Sequence, residues 1–204
     1  TFFRFFFTPV VVFDKGRPQK KAFARKKKKI PIPLPHTVKR YQAAFAKAGF
    51  PFDLLPPPHF HLKPELHSVA SEWLKSKGLI KNELWIGIAP FALHRTKIWP
   101  VSNYEVVINK VLERTNAKFF LFGGGEKEIR FFEELRAKFP HNCIVTAGQL
   151  KIRQEIALMT HLDTMLCVDS SNMHLAALAG VRVVSIWGGT HPDVGFAPFT
   201  NQAK

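Results

Sequence analysis

The stretch CVDSSNMHLAALAG, residues 167–180, decides how the chain is read. With the three residues before it, TML, it opens as a short apolar run ending at Val168, the pattern of a buried strand. Beyond the polar cluster, Met173, Leu175, Ala176, Leu178 and Ala179 recur at helical spacing and stop at Gly180. Four polar side chains, Asp169, Ser170, Ser171 and Asn172, therefore sit where a strand feeds a helix, with His174 one turn in. Such a junction presents unpaired backbone N–H groups and the positive end of a helix dipole, which together favour an anion. A serine there also serves simply as a helix cap.

Outward from this seam the same alternation repeats. From Pro64 the chain runs through a helical segment PELHSVASEWLKSKG, a strand LWIGIAP, a helix NYEVVINKVLERT, a strand KFFLFGG and a helix EKEIRFFEELRAKF. It continues with CIVTAG, IRQEIALMTH, TMLCVD, the helix after the seam and VRVVSIWG. Fully apolar strands alternating with amphipathic helices predict a parallel sheet covered on both faces, an α/β fold of Rossmann type. Residues 64–204 are assigned to this domain, residues 56–63 to a proline-rich linker, and residues 1–55 to part of a second α/β domain. In that front part HTVKRYQAAFAKAGF has helical periodicity, with Val38, Tyr41, Ala44, Phe45 and Ala48 on one face, and TFFRFFFTPVVVF reads as an internal strand.

The 204 residues, 46% hydrophobic, suffice for one or two domains with a real core. No run of about twenty apolar residues suggests a membrane span, and no signal peptide is recognisable. Cys143 and Cys167 lie in apolar strands, which points to buried thiols in a reducing compartment and away from a disulfide framework; no metal-ligand spacing is present. The formal net charge is +15, and residues 14–29 hold nine lysines and arginines against one aspartate. That run reads as a solvated loop suited to nucleic acid, an anionic membrane or a phosphorylated substrate.

In a parallel sheet the chemistry gathers at the carboxyl ends of the strands. After WIGIAP comes FALHRTKIWP, with His94, Arg95, Thr96 and Lys97 on one loop and Trp99 to pack it; a lysine there can put its ammonium on a phosphate. After KFFLFG come Gly124 and Gly125, where a ligand can approach the backbone, and Glu126, which can accept from a ribose diol or merely complement the helix dipole. The seam follows, and then GGTHPDVGFAPF with Thr190 and His191. No G-x-G-x-x-G follows the first strand and FGGGEKE lacks the P-loop spacing, which argues against simple nicotinamide or P-loop chemistry.

Together FDKGR, HTVKRY, TKIWP, FGGGEKE and the segment from GQLKIRQEIAL to SIWGGTHP resemble glycosyltransferase family 9, the ADP-heptose:lipopolysaccharide heptosyltransferases of two-domain GT-B fold. The resemblance implies that Asp169, Ser170, Ser171, Asn172 and His174 hold the donor diphosphate. It also implies that Lys97, with Thr96 beside it and Trp99 after it, contacts the phosphates and stabilises the leaving group. Glu126, with Glu128 close by, takes the ribose beside Gly124 and Gly125, and Thr190 with Pro192 and Gly188 forms the family's Gly-x-Thr-x-Pro turn. The family's Asp-Thr-Gly is Asp-Ser-Ser here. Its catalytic base comes from a glycine-rich strand–loop that nothing before FDKGR supplies, and Asp14 is a poor substitute, so the chain is expected to be truncated at both ends and to carry mainly the donor side.

The activity implied is inverting transfer of a heptose from a nucleotide diphosphate, ADP-heptose, to a lipopolysaccharide core or other glycolipid acceptor, without cofactor or metal. The setting implied is a monomer in the cytoplasm, peripheral to the inner membrane, with the basic segment 15–29 against anionic lipid and no nucleic acid bound. The alternatives are another GT-B nucleotide-sugar enzyme, such as an epimerase, and a basic nucleic-acid-binding domain; against the latter, no recognised nucleic-acid motif is present.

Overall fold

The computed structural model describes residues 10–24 and 32–199. These fall into two compact units. Residues up to Pro56, together with Thr190–Phe199, form one; Pro57–Gly189 form the other.

The larger unit is built on a five-stranded sheet, wholly parallel, in the order β3-β2-β1-β4-β5. Its elements in chain order follow two helices of the smaller unit, α1 (Arg17–Ala24) and α2 (Thr37–Lys47). They are α3 (Pro64–Ser76), β1 (Leu84–Ala89), α4 (Ser102–Leu112), β2 (Ala117–Leu121), α5 (Glu126–Lys138), β3 (Cys143–Val145), α6 (Ile152–Met159), β4 (Thr164–Val168), α7 (Ser171–Leu178) and β5 (Arg182–Ile186). The α/β alternation expected from Pro64 onward is thus present, and the apolar strand runs are continuous because both sheet faces are covered.

The faces are populated by strand alternation. Phe119 and Leu121 of β2 point into a core with Tyr104 and Ile108 of α4 and Phe132 and Leu135 of α5. Phe120, and Phe122 just past the strand, point the other way, into a core with Ala70 and Leu74 of α3, Ile156 to Met159 of α6 and Met173 of α7. Each of these phenylalanines is essentially inaccessible, which stabilises the fold by roughly 1.5–3 kcal/mol per ring. Right-handed crossovers, the rule for parallel strands, explain the segregation: α4 and α5 carry the chain outward from β1 to β3 on one face, and α6 and α7 carry it back to β4 and β5 on the other. Both cysteines are free and buried, and burial pushes each thiol up to about 12.

The smaller unit differs from expectation in two places. Residues 14–24, read as part of a solvated loop, contain α1; Gly16 turns into it at φ 59° with its N–H on Asp14 Oδ1 at 2.8 Å, and Pro18 occupies the first turn, where a missing N–H breaks no helical bond. The remainder of the basic run, residues 25–31, lies outside the described residues, as do residues 1–9 of the expected opening strand. The stripe on α2 exists but buries nothing: Tyr41 stacks on Phe13 at 4.3 Å between centroids and Phe45 meets Phe52 edge-on at 5.7 Å. The segment 190–199 is held within this unit by Leu34 N–H donating to Asp193 O and Thr37 N–H donating to Gly195 O, both at 2.8 Å.

Candidate functional site

The strand order fixes where a ligand can bind. β1 pairs with β2 on one side and β4 on the other, and the direction of winding reverses between β1 and β4. The loops leaving the carboxyl ends of these two strands therefore diverge to opposite faces and leave a crevice between them. A cavity of about 620 Å³ occupies that place.

Three strand ends and one helix line it. From β1 come Phe91 to His94 and Lys97; from β2, Gly123, Gly124 and Glu128; from β4, Asp169 to Asn172 and His174; from the start of α6, Ile152 and Glu155. The sequence candidates Lys97, Gly124, Asp169, Ser170, Ser171, Asn172 and His174 are thus brought together. Thr96, Glu126 and Gly125 are not among the lining residues, and Thr190 belongs to the smaller unit.

Lys97 ends a single 3-10 turn, Arg95–Lys97, and its ammonium lies 2.8 Å from Asp169 Oδ2, with the lysine side chain about a quarter exposed and the aspartate 8% exposed. The pair ties the β1 loop to the β4 loop across the crevice. Thr96 contributes through its backbone: its carbonyl accepts from Gly189 N–H at 2.6 Å, and a Cβ on Gly188 would stand 2.5 Å from that same oxygen. Glycine at 188 is therefore what lets the end of β5 close on the lysine loop. Behind the loop Trp99 packs edge-on against the buried Tyr104 at 5.2 Å.

On the β2 side Gly125 enters α5 at φ 84°, a left-handed conformation natural to glycine. Glu128 then reaches back so that Gly124 N–H donates to its Oε2 at 2.8 Å. Two positions along a helix turn a side chain by more than half a revolution, so Glu126 at the first residue of α5 is exposed while Glu128 faces the crevice. Glu128, not Glu126, is the carboxylate at this wall.

At the seam itself Ser170 is the N-cap of α7 with extended backbone, yet its side chain makes no cap bond; its Oγ is buried without a hydrogen-bond partner among the described residues. The N–H groups that open α7 therefore receive no cap from that hydroxyl.

Sequence reasoning misses two lining residues. Ile152 is 54% exposed at the mouth of the crevice, and Glu155 is 9% exposed, with burial pushing its carboxyl up to about 7. The pattern of IRQEIALM does not mark the glutamate: all four residues after it are buried, so no one-sided stripe shows which way its carboxyl turns. Among the described residues no cluster of three or more His, Cys, Asp or Glu side chains is placed to hold a metal ion, and no helix is long and apolar enough to cross a membrane.

A parallel sheet with a polar crevice at its reversal point, framed by a lysine loop, a glycine turn and a helix N-terminus, defines an α/β protein of GT-B type. The chain belongs to glycosyltransferase family 9 (heptosyltransferase), whose sequence profile matches residues 8–204. It is 27% identical over 169 residues to lipooligosaccharide heptosyltransferase 2 of Haemophilus influenzae, covering 78% of this chain and 48% of that protein. Among solved structures it is similar to Escherichia coli ADP-heptose lipopolysaccharide heptosyltransferase II, with TM-score 0.67 and 24% identity over 83% of this chain and 53% of that one. It is also similar to a family 9 glycosyl transferase from Veillonella parvula, with TM-score 0.72 and 21% identity over 86% and 50%. The chain spans about half the length of these relatives.

Proposed function

We propose that this chain carries the donor side of an inverting glycosyltransferase that moves a heptose from ADP-heptose to a lipopolysaccharide core acceptor. The observation that supports this best is the convergence of Lys97, the Gly123–Gly124 turn and the α7 N-terminus on one crevice in a chain of family 9. The family description and a relative named for heptose transfer to lipooligosaccharide support the sugar and the acceptor class.

In this reading the diphosphate lies between the Lys97 ammonium and the backbone N–H groups that open α7. As the bond from the anomeric carbon to the diphosphate oxygen breaks, negative charge grows on that oxygen; a fixed cation and preoriented N–H donors stabilise it without reorganising. Ser170 Oγ, otherwise unpartnered, gains a hydrogen bond, and Glu128 sits where a ribose diol can donate to it. The acceptor hydroxyl attacks from the opposite face, with its proton taken by a general base on the acceptor side of the two-domain fold. The enzyme works in the cytoplasm at the inner membrane, where the charge of the basic segment 15–29 suits contact with anionic lipid.

Thermal denaturation with added nucleotides tests the donor assignment. ADP at about a hundred times its Kd should add about 2.7 kcal/mol, raising Tm by roughly 5–11 °C for a chain of this size. UDP should do less, and Lys97→Ala should lose most of the ADP shift. A preference for UDP, or an ADP shift unchanged in Lys97→Ala, would contradict the reading.

A further inference from the structure

The described lining of the crevice sets a single cationic side chain, Lys97, among three carboxyls, so a diphosphate there meets more acidic groups than basic ones. Lys97 is the one lysine or arginine among the described lining residues, and it already faces Asp169 at 2.8 Å. Two further carboxyls remain, Glu128 and Glu155. Glu128 is occupied by Gly124 N–H. Glu155 takes part in no ion pair or side-chain hydrogen bond among the described residues, although only 9% of it is exposed, and the exposed part opens into the crevice. A second orphan lies on the same wall set, the buried Ser170 Oγ. An unpartnered carboxyl opening into a cavity is complementary to a polar ligand, and the buried hydroxyl adds an unmet hydrogen-bonding group to the same wall.

We propose that Glu155 is a donor-binding residue that enters the complex as a neutral carboxyl, donating a hydrogen bond to a phosphate oxygen of the bound nucleoside diphosphate, so that binding at alkaline pH takes up a proton. The proposal rests on the nucleotide-diphosphate reading above. An ionised carboxylate has no donor to offer and would repel the phosphates in a poorly solvated site; a carboxylic acid has one O–H to give. The proton comes from the buffer and returns to it when the nucleotide leaves.

The local chemistry makes the neutral form accessible. Burial alone pushes the Glu155 carboxyl up to about 7, with no cation contributing in the opposite sense. Ionisable groups facing it across the crevice are Glu128 from α5, Asp169 and His174 from the β4–α7 seam, and His94 and Lys97 from the β1 loop. On its own helix Arg153 is exposed, and α3, packed against α6, carries Glu65, His67, Glu72 and Lys75. Imidazoles and terminal phosphates as a class also titrate near neutrality, so Glu155 is isolated by substitution.

Calorimetric titration of the 204-residue chain with ADP, at pH 6 and pH 8 in buffers of differing ionisation enthalpy, does so. Because a carboxyl with a free-state value of about 7 is about nine-tenths neutral at pH 6 and one-tenth at pH 8, wild-type affinity should fall about tenfold more than that of Glu155→Gln between these values. Proton uptake at pH 8 should drop by most of one proton per ADP in Glu155→Gln. Glu155→Leu, which keeps the burial but cannot hydrogen-bond, should bind about fivefold to tenfold more weakly than the Gln variant at both pH values. Adenosine, lacking phosphate, should show no difference between wild type and Gln.

Equal pH slopes in wild type and Glu155→Gln, with ADP still bound, would overturn the proposal and leave the donor reading intact. A slope shared by adenosine would place Glu155 against the nucleoside and overturn it as well. Absence of ADP binding by every variant at pH 6 would instead remove the donor reading itself, and this proposal with it.

Discussion

Glu155 shows how one side chain at a site affects stability as well as binding. Its carboxyl titrates near 4.5 when solvated and is pushed up to about 7 by burial, so between those values the folded chain holds a proton that the unfolded chain has lost. The unfolded state then binds fewer protons than the folded one, and stability falls as pH rises through this window; below about 4.5 both states are protonated and the residue is neutral to folding. The displacement corresponds to roughly 3 kcal/mol lost by pH 8. Glu155→Gln should therefore be more stable than wild type by about that amount at pH 8 and equally stable near pH 4, as measured by urea denaturation at each pH. An equal gain at both would show that ionisation is not the cause. Nothing in the sequence alone separates this glutamate from Glu128 or Glu126: all three sit near helix starts, where an acidic residue complements the dipole, and only the burial of the neighbouring IALM face distinguishes it. Lys97, by contrast, could be placed at the rim in advance, because it sits in the loop that follows a strand end, and it does line the crevice; alone, a lysine there reads equally well as an exposed surface residue.

At the scale of elements, what the sequence conveys depends on whether periodicity or contact carries the information. Strands such as AKFFL and helices such as EKEIRFFEELRAK announce themselves because burial on two faces or one imposes a pattern. The helix α1 does not, since RPQKKAFA has a lysine-rich composition that reads equally well as solvated loop, and its start depends on the Gly16 turn and Pro18. The closure of β5 on the lysine loop is likewise invisible, for it rests on the Thr96 carbonyl, a backbone atom with no residue signature. That closure makes a prediction. Gly188→Ala places a methyl 2.5 Å from the Thr96 oxygen, and because the obstacle is main chain, the loop must shift and the Gly189 N–H bond to the same oxygen must lengthen. Overpacking of this kind costs about 1–3 kcal/mol. The variant should melt at lower temperature and, because Lys97 follows Thr96 directly, should also bind ADP several-fold more weakly. Unchanged melting would show that the contact is not restrictive.

For the molecule as a whole, the order β3-β2-β1-β4-β5 is the decisive fact, because it places the reversal of winding beside β1 and so selects which loops meet. The loops after β1, β2 and β4 are neighbours in space although whole helices and strands separate them along the chain. The pairing of Ile88 with Leu121 and of Ala89 with Cys167 is what brings their ends level. A sequence with glycines, hydroxyls or cations at successive strand ends lets a common rim be anticipated, but the depth of the crevice and the inward turn of Glu128 and Glu155 follow only from the packed helices. The central claim is that this rim binds a nucleoside diphosphate, and amide hydrogen exchange with and without ADP tests it most directly. Slowed exchange is predicted at residues 94–97, 123–128 and 170–174, with the amides opening α7 the most protected. Protection elsewhere in the chain with none at these three segments would contradict it.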